Sequence, residues 1–275
     1  MNHLFKKISE ILENGEDCAL CTIVTTQGST PLKAGAKMIV TANGKIFGTI
    51  GGGDLEKKVI ENALLVITIK QSEQYTHNLL QQHSMCCGGT VVVFIDFISK
   101  PNRLYVFGAG HVGRALCKVA STLNFEIFLI DDRTNELDLT NTEGIHKLPF
   151  SAKEIMLSLP FDNNTYITIM TRDHSLDREI LAFCINKPHA YLGMIGSKRK
   201  VEITKKMFLS GGLCEAEDFN KVDMPMGISI RASNPEEIAI SILAKLILVK
   251  NNSKPGSSKT TNSKFKHENL KPQYK

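Results

Sequence analysis

The run Arg103-Leu-Tyr-Val-Phe107 passes directly into Gly108-Ala-Gly110-His111-Val-Gly113, and no other feature constrains the fold as much. A strand that turns on glycines into a helix is the G-x-G-x-x-G arrangement in its required context. Gly108 permits the tight turn, Gly110 lets the backbone approach a phosphate, and Gly113 lets helix and strand pack closely. Free amides at the helix start then face an anion, and the helix dipole adds to the attraction. The next strand, Phe125 to Ile130, ends at Asp131-Asp132. Asp131 lies 18 residues past Gly113, where an acid that binds a ribose would sit. Arg133 beside it suits a 2′-phosphorylated cofactor. Two readings stand: NAD(P) or another phosphate-bearing ligand binds here, or the glycines only make the turn. His111 would lie beside a pyrophosphate as donor or acid–base group, or it faces solvent at the helix start.

Beyond the fingerprint, strands and helices alternate. Strands are predicted at 103–107, 125–130, 165–170 and 190–195. Helices are predicted at 111–123, 151–159, 175–186, 198–210 and 235–249. Ser151-Ala-Lys-Glu154 fits a capping box, and Asn234-Pro235 fits an N-cap with proline at the first helical position. Such alternation implies an α/β fold with a doubly wound parallel sheet, helices on both faces. Ligands of such sheets collect beyond the carboxyl ends of the strands. Two segments fall there. Thr171-Arg172-Asp173-His174, with Asp177 close behind, offers a carboxylate, an imidazole and a hydroxyl. Asp173 serves equally well as an N-cap. Gly196-Ser197-Lys198-Arg199-Lys200 offers a hydroxyl, a helix start and three cations, which suits an anion or is simply a solvated first turn.

The first hundred residues read differently. Leu4, Phe5, Ile8, Ile11 and Leu12 share one helical face. A strand over 18–26 follows, then strands over 37–40 and 45–50 around Asn43-Gly44, a dipeptide favoured in hairpin turns. Another strand, Val91–Phe97, leads to Ser99-Lys-Pro101. Three features do not resemble packing. Gly28-Ser29-Thr30-Pro31 is followed by Gly35-Ala-Lys37-Met38. Gly51-Gly52-Gly53-Asp-Leu-Glu56 leads into a helix. Three successive glycines are costly in backbone entropy unless their amides serve a ligand or a tight crossing. Met85-Cys86-Cys87-Gly88-Gly89 holds a thiol that is reactive if exposed beside a cation, or a pair of small apolar fillers. Cys18 and Cys21, three apart on a strand, face opposite sides, so they form no zinc site. Cys117, Cys184 and Cys214 read as core or helix cysteines. His77 and His83 read as surface or core residues.

The chain has 275 residues, a length at which one core stops growing and two units are expected. The predicted division is 1–98, 102–250 and a disordered basic tail at 251–275. That tail carries six Lys and one Glu, the whole net charge of +5. The neutral body argues against a nucleic-acid-binding face. No apolar run approaches the roughly 18 residues of a membrane span. Seven cysteines with no export signal indicate reduced thiols and a cytoplasmic location.

Taken in order, eight motifs resemble one family. They are Gly28-Ser-Thr-Pro31, Gly35-Ala-Lys-Met38, Gly51-Gly-Gly-Asp-Leu-Glu56 and Cys86-Cys-Gly-Gly89, followed by Gly108-Ala-Gly-His-Val-Gly113, Thr171-Arg-Asp-His174, Tyr191-Leu-Gly-Met-Ile-Gly-Ser-Lys-Arg-Lys200 and Asn234-Pro-Glu-Glu-Ile238. The set, spanning roughly residues 5–250, resembles the xanthine dehydrogenase accessory protein family (XdhC/CoxI). The resemblance implies a small N-terminal α+β domain before a Rossmann-like domain, in a cytoplasmic, homodimeric maturation factor. Such a factor binds the molybdenum cofactor as cargo and protects it. It assists sulfuration with a cysteine desulfurase and delivers the cofactor to an apo molybdenum hydroxylase of the xanthine dehydrogenase type. Carried over by position, the cofactor-binding residues include Ser29, Thr30, Lys37, Gly51, Gly52, Gly53, Glu56, Cys86, Cys87, Gly108, Gly110, His111 and Gly113. Asp131, Asp173, His174, Ser197 and Lys198 complete the set, with Cys87 as the thiol nearest molybdenum. The amide clusters and this thiol are expected to share one receptacle. Two departures stand out: Arg172 occupies a place more often held by His, and Arg231 one usually held by glycine. The alternative is an NAD(P)-dependent oxidoreductase with Asp173 and His174 as its acid–base pair. A dehydrogenase has no need of a second glycine-and-cysteine cluster in another domain.

Overall fold

The computed structural model describes residues 2–79 and 88–252. Cys86, Cys87 and His83 lie outside the described residues, as does the chain from 253 onward. Two five-stranded sheets organise the rest.

The first sheet is built from β1 (Cys18–Gln27), β2 (Lys37–Thr41), β3 (Ile46–Gly48), β4 (Glu73–Asn78) and β5 (Thr90–Ile98). Its order is β3-β2-β1-β5-β4 and every pairing is antiparallel. Helices α1 (Asn2–Glu13) and α2 (Gly53–Ile69) cover its two faces. The period of two along β1 explains why. Ala19, Cys21 and Ile23 enter a core with Leu55, Val59 and Val66 of α2. Cys18 and Leu20 turn to Ile8 and Ile11 of α1. Cys18 and Cys21 therefore point to opposite faces, as their spacing predicts. The Asn43-Gly44 hairpin is present, with Gly44 at φ +80°. Its second strand is shorter than predicted, because Gly48 at φ +83° leaves the extended region.

The second sheet comprises β6 (Asn102–Phe107), β7 (Phe125–Ile130), β8 (Ile145–Leu148), β9 (Thr165–Ile169) and β10 (Tyr191–Met194). All pairings are parallel, in the order β10-β9-β6-β7-β8. Its helices are α3 (His111–Ala120), α4 (Thr134–Asp138), α5 (Ala152–Ile155), α6 (His174–Cys184), α7 (Lys198–Ser210), α8 (Ala216–Asn220) and α9 (Pro235–Asn252). Leu104 and Val106 face one core, shared with α3 and α9. Tyr105 and Phe107 face the other, shared with α5, α6 and α8. A sheet buried on both sides needs continuous apolar strands, and all five residues of β9 are buried.

The predicted helix over 151–159 is shortened to α5. The Ser151–Glu154 capping box forms, but beyond Ile155 the chain continues as turns, in which Met156 and Leu159 still meet the second core while Leu157 is 81% exposed. α9 continues to Asn252, so the first two residues of the expected tail are helical. β4, β8, α4 and α8 escape sequence analysis because they are short and mostly polar. Among the described residues no helix is long and apolar enough to cross a membrane.

The two sheets meet where β1 begins and β5 ends. Lys100 N donates to Asp17 at 2.9 Å, and Lys100 Nζ and Arg103 both reach Asp162, at 2.7 and 3.1 Å. A cleft of about 390 Å³ between Lys70, Phe97, Asn102 and Tyr166 lies at this junction.

Arg231 adopts φ +60°, the left-handed region that glycine enters freely. An L side chain there costs about 1–2 kcal/mol, partly offset by glycine's larger entropy loss on folding. Arg231→Gly is expected to raise stability by about 0.5–1 kcal/mol in a thermal or urea melt. A clear loss would show that the arginine side chain contributes more than its backbone costs.

Candidate functional site

The carboxyl edge of the parallel sheet is built around the switch between β6 and β9, whose chain connections leave in opposite directions. The fingerprint glycines act there in three ways. At Gly108, φ +114°, a Cβ would lie 2.4 Å from the Met170 carbonyl oxygen. At Gly113 it would lie 1.9 Å from the Gly108 carbonyl oxygen, so the first turn of α3 rests directly on the loop. At Gly110 nothing lies within 4 Å, and the backbone faces open space. The first two glycines are required by packing, whereas the third leaves room for a ligand.

Asp131 closes the loop from the side. Its Oδ2 accepts from Ala109 N at 2.7 Å and from the Arg133 guanidinium at 2.8 Å. Its Oδ1 accepts from Arg133 N and Nε, both at 2.9 Å. Burial alone would raise its pKa, but the donors from Arg133 and Ala109 outweigh it and hold the carboxyl below the ordinary range. Four donors fill the acceptor sites that a ribose would need. The adjoining crevice between Gly108, Asp132, Ser151 and Thr171 measures only about 30 Å³, and Arg172 pairs with Asp132 across it. The expected ribose acceptor is thus engaged by its own chain. His111 is exposed at the mouth of a separate cleft of about 530 Å³, beside Arg114, Lys118, Leu139 and Glu236.

The loop after β9 departs from expectation. Asp173 does not pair with His174: it caps α6, accepting from Ser175 N at 2.8 Å. The partner of His174 is Asp177, which is fully buried. Asp177 Oδ1 accepts from Thr171 N and Oγ1 at 2.9 and 2.7 Å, and Oδ2 lies 3.2 Å from His174 Nδ1. His174 Nε2 meets Lys200 Nζ from the next helix. Ser197 caps α7 by accepting from Lys200 N, while Lys198 is exposed. The sequence marks Asp177 only as a neighbour, because a helical i+3 contact is visible only once the helix start is known. Asp223 carries no sequence signal at all. It accepts from Tyr191 Oη at 2.7 Å and Gly227 N at 2.8 Å, tying β10 to the segment before α9.

At the first sheet, the N-terminal motifs converge. Ser29 bridges Gly88, and a Cβ on Gly89 would lie 2.3 Å from the Ser29 carbonyl oxygen. A Cβ on Gly51 would lie 2.7 Å from Pro31. Thr30 Oγ1 donates to Leu32 O at 3.0 Å, and Lys37 reaches Thr22 on the neighbouring strand at 3.5 Å. Two of the three glycine amides are taken up by the chain itself. Glu56 Oε2 accepts from Ile50 N, Gly52 N and Thr49 Oγ1, and Thr49 Oγ1 accepts from Gly51 N. Gly53, at φ +64°, opens α2. Gly52 and Gly88 nevertheless present bare backbone to open space beside the Ser29–Thr30 turn.

Burial pushes the Cys18 thiol up to about 11 and those of Cys21, Cys117 and Cys184 to about 12, so they stay protonated at neutral pH. Cys214, half-buried after α7 rather than in a helix, packs against the second core. Among the described residues no group of three His, Cys, Asp or Glu is placed to hold a metal.

Residues 104–246 match the family described as the XdhC Rossmann domain, and residues 11–78 match the XdhC and CoxI family. The uncharacterized protein YqeB of Escherichia coli (strain K12) is 35% identical over 92% of this chain. The alignment covers 47% of YqeB, so the chain spans about half the length of that relative. A probable xanthine dehydrogenase subunit of Bacillus subtilis (strain 168) is 22% identical, covering 90% of this chain and 97% of the relative. A crystal structure of a xanthine dehydrogenase from Bacillus halodurans shares the fold, with a TM-score of 0.52 and 20% identity over 92% of this chain and 97% of that one.

The depressed pKa of Asp131 has a stability consequence. A carboxyl whose folded pKa lies below the unfolded value near 3.9 stabilises above that value, and the contribution fades as pH falls through the folded pKa. Asp131→Asn is expected to cost about 1.5–3 kcal/mol at pH 7 and to flatten the acid side of the stability curve. Urea melts of both proteins between pH 7 and pH 3 measure this. Parallel curves would show that the carboxylate charge contributes nothing.

Proposed function

Because this chain belongs to the XdhC and CoxI family, we propose that it is an accessory protein for a xanthine dehydrogenase-type molybdenum hydroxylase. In this reading it binds the molybdenum cofactor, shields it while a cysteine desulfurase supplies sulfur, and hands it to the apo enzyme. The cofactor is cargo, released unchanged in its pterin skeleton.

The observation that carries this reading is the convergence at one end of the first sheet. Gly51 packs against Pro31 and Gly89 against Ser29 and Thr30, and Leu79, the last described residue before position 88, donates from its N–H to Gly89 O at 2.9 Å. The exposed Ser29, the half-buried Thr30 and the Gly88 backbone bridged to Ser29 supply a polar rim. A thiol carried into that rim would offer a soft ligand to the metal. The phosphate would take the serine hydroxyl rather than the Gly51 and Gly52 amides, which Thr49 and Glu56 already engage. Glu56 becomes a positioning residue: its carboxylate fixes the bend that packs on Pro31.

The oxidoreductase alternative receives less support. Asp131 is bound by Arg133, and Asp173 is a helix cap.

Purified protein from cells that make the cofactor is expected to retain it. Cys87→Ala is expected to retain about tenfold less or worse, as with removal of other metal-site groups, while melting at the same temperature. Molybdenum and pterin content, together with reconstitution of apo hydroxylase, measure this. Undiminished retention and delivery by the variant would remove the thiol from the mechanism. Turnover of NAD(P)H with a small carbonyl substrate would favour the oxidoreductase.

A further inference from the structure

A cavity of about 170 Å³ lies between the first turns of α6 and α7, above the end of β10. Its floor is apolar, made by Met194, Ile195 and Ile203. Its polar groups include His174 and Arg178, one helical turn apart on α6, and Lys200 on α7. Arg178 is half-buried and makes no hydrogen bond or ion pair among the described residues. Its guanidinium therefore keeps five donors that no group among the described residues engages.

Lys200 is held in a different way. Asp177 is buried and takes two donors from Thr171, so its remaining oxygen acts as acceptor toward His174 Nδ1. That places the imidazole proton on Nδ1 and leaves the Nε2 lone pair facing outward. The Lys200 ammonium donates to it. The contact places the ammonium at the wall of the cavity. Lys200 makes no ion pair with a carboxylate among the described residues, so its charge remains available to the cavity. Ser197 already caps the amide of Lys200, so side chains rather than the helix end are the recognising groups.

We propose that this cavity is a phosphate-binding site, in which Arg178 and Lys200 grip the oxyanion and the Thr171–Asp177–His174 chain positions Lys200. Arginine offers a planar fork to two oxygens, and the ammonium approaches a third from another helix, which suits a tetrahedral anion better than a flat carboxylate. The volume lies below the ~300 Å³ of ordinary ligand pockets. The site therefore takes the phosphate group of a small molecule, or free phosphate, and leaves the rest of any larger ligand outside. It stands apart from cofactor delivery, and either can fail alone.

The test uses the full chain and inorganic phosphate as the probe. The His174 ring and Arg178 Nε signals are followed by ¹H–¹⁵N NMR during titration, with sodium chloride at matched ionic strength as control. The expected result is a saturable shift with phosphate and none with chloride. Arg178→Gln and Lys200→Gln should each weaken binding by about tenfold or more, as loss of a charge-assisted contact requires. Lys206→Gln, on the exposed surface of the same helix as Lys200, should leave it unchanged. A response linear in phosphate, or reproduced by chloride, overturns the site in the wild-type protein even if a variant fails to fold. Equal affinities in Arg178→Gln and Lys206→Gln overturn it as well.

Discussion

Loop amides need acceptors, and this chain supplies them from its own carboxylates. Glu56 serves the triple-glycine bend, Asp131 the fingerprint loop, Asp177 the turn after β9, and Asp223 the segment beyond β10. Each carboxylate binds at least one backbone N–H, and each holds a strand-end loop in place. An N–H left unpaired away from water costs about as much as a lost hydrogen bond. Charged acceptors make stronger bonds than neutral ones. Remove these four groups and the strand ends lose the geometry on which any ligand site depends.

This arrangement also separates the candidate sites. The glycine-rich turns of the first sheet lie at the far end of β1 and β5 from the junction with the second. The fingerprint lies at the far end of β6. The ion-pair network of Lys100, Arg103 and Asp162 occupies the ends between them. The triple glycine and the carboxyl edge of the parallel sheet therefore stand at opposite far ends, while the cysteine pair expected to join them lies outside the described residues. Two separate ligand-facing ends fit the topology better.

Most of the parallel sheet was legible because its signals are physical necessities. A strand buried on both faces carries few charges and many β-branched residues, and a helix whose first turn rests on a loop carbonyl needs glycine there, so β9, with Thr165, Ile167, Thr168 and Ile169, and Gly113 could be read directly. β8 was not legible, since only Ile145 and Leu148 of its four residues are apolar and the chain gives no alternation to read. The same holds for α8, whose single buried anchor is Phe219. Tertiary packing, not local pattern, decides such elements.

The site was harder to read for a related reason. A glycine-rich turn displays donors in the sequence, but the acceptor that satisfies them lies elsewhere in the chain. Glu56 follows its bend by a helical turn and Asp131 lies a strand away, and both are acids that sequence patterns assign to a ligand. Charge counting has the same blind spot. Residues 1–250 are neutral as a whole, yet their acids are drawn into loops while Arg178, Lys198, Arg199 and Lys200 gather around the starts of two helices. A zero sum conceals a local excess of positive charge wherever carboxylates are consumed by backbone amides. That local excess, rather than the number of glycines, is the better guide to where this protein can still bind an anion.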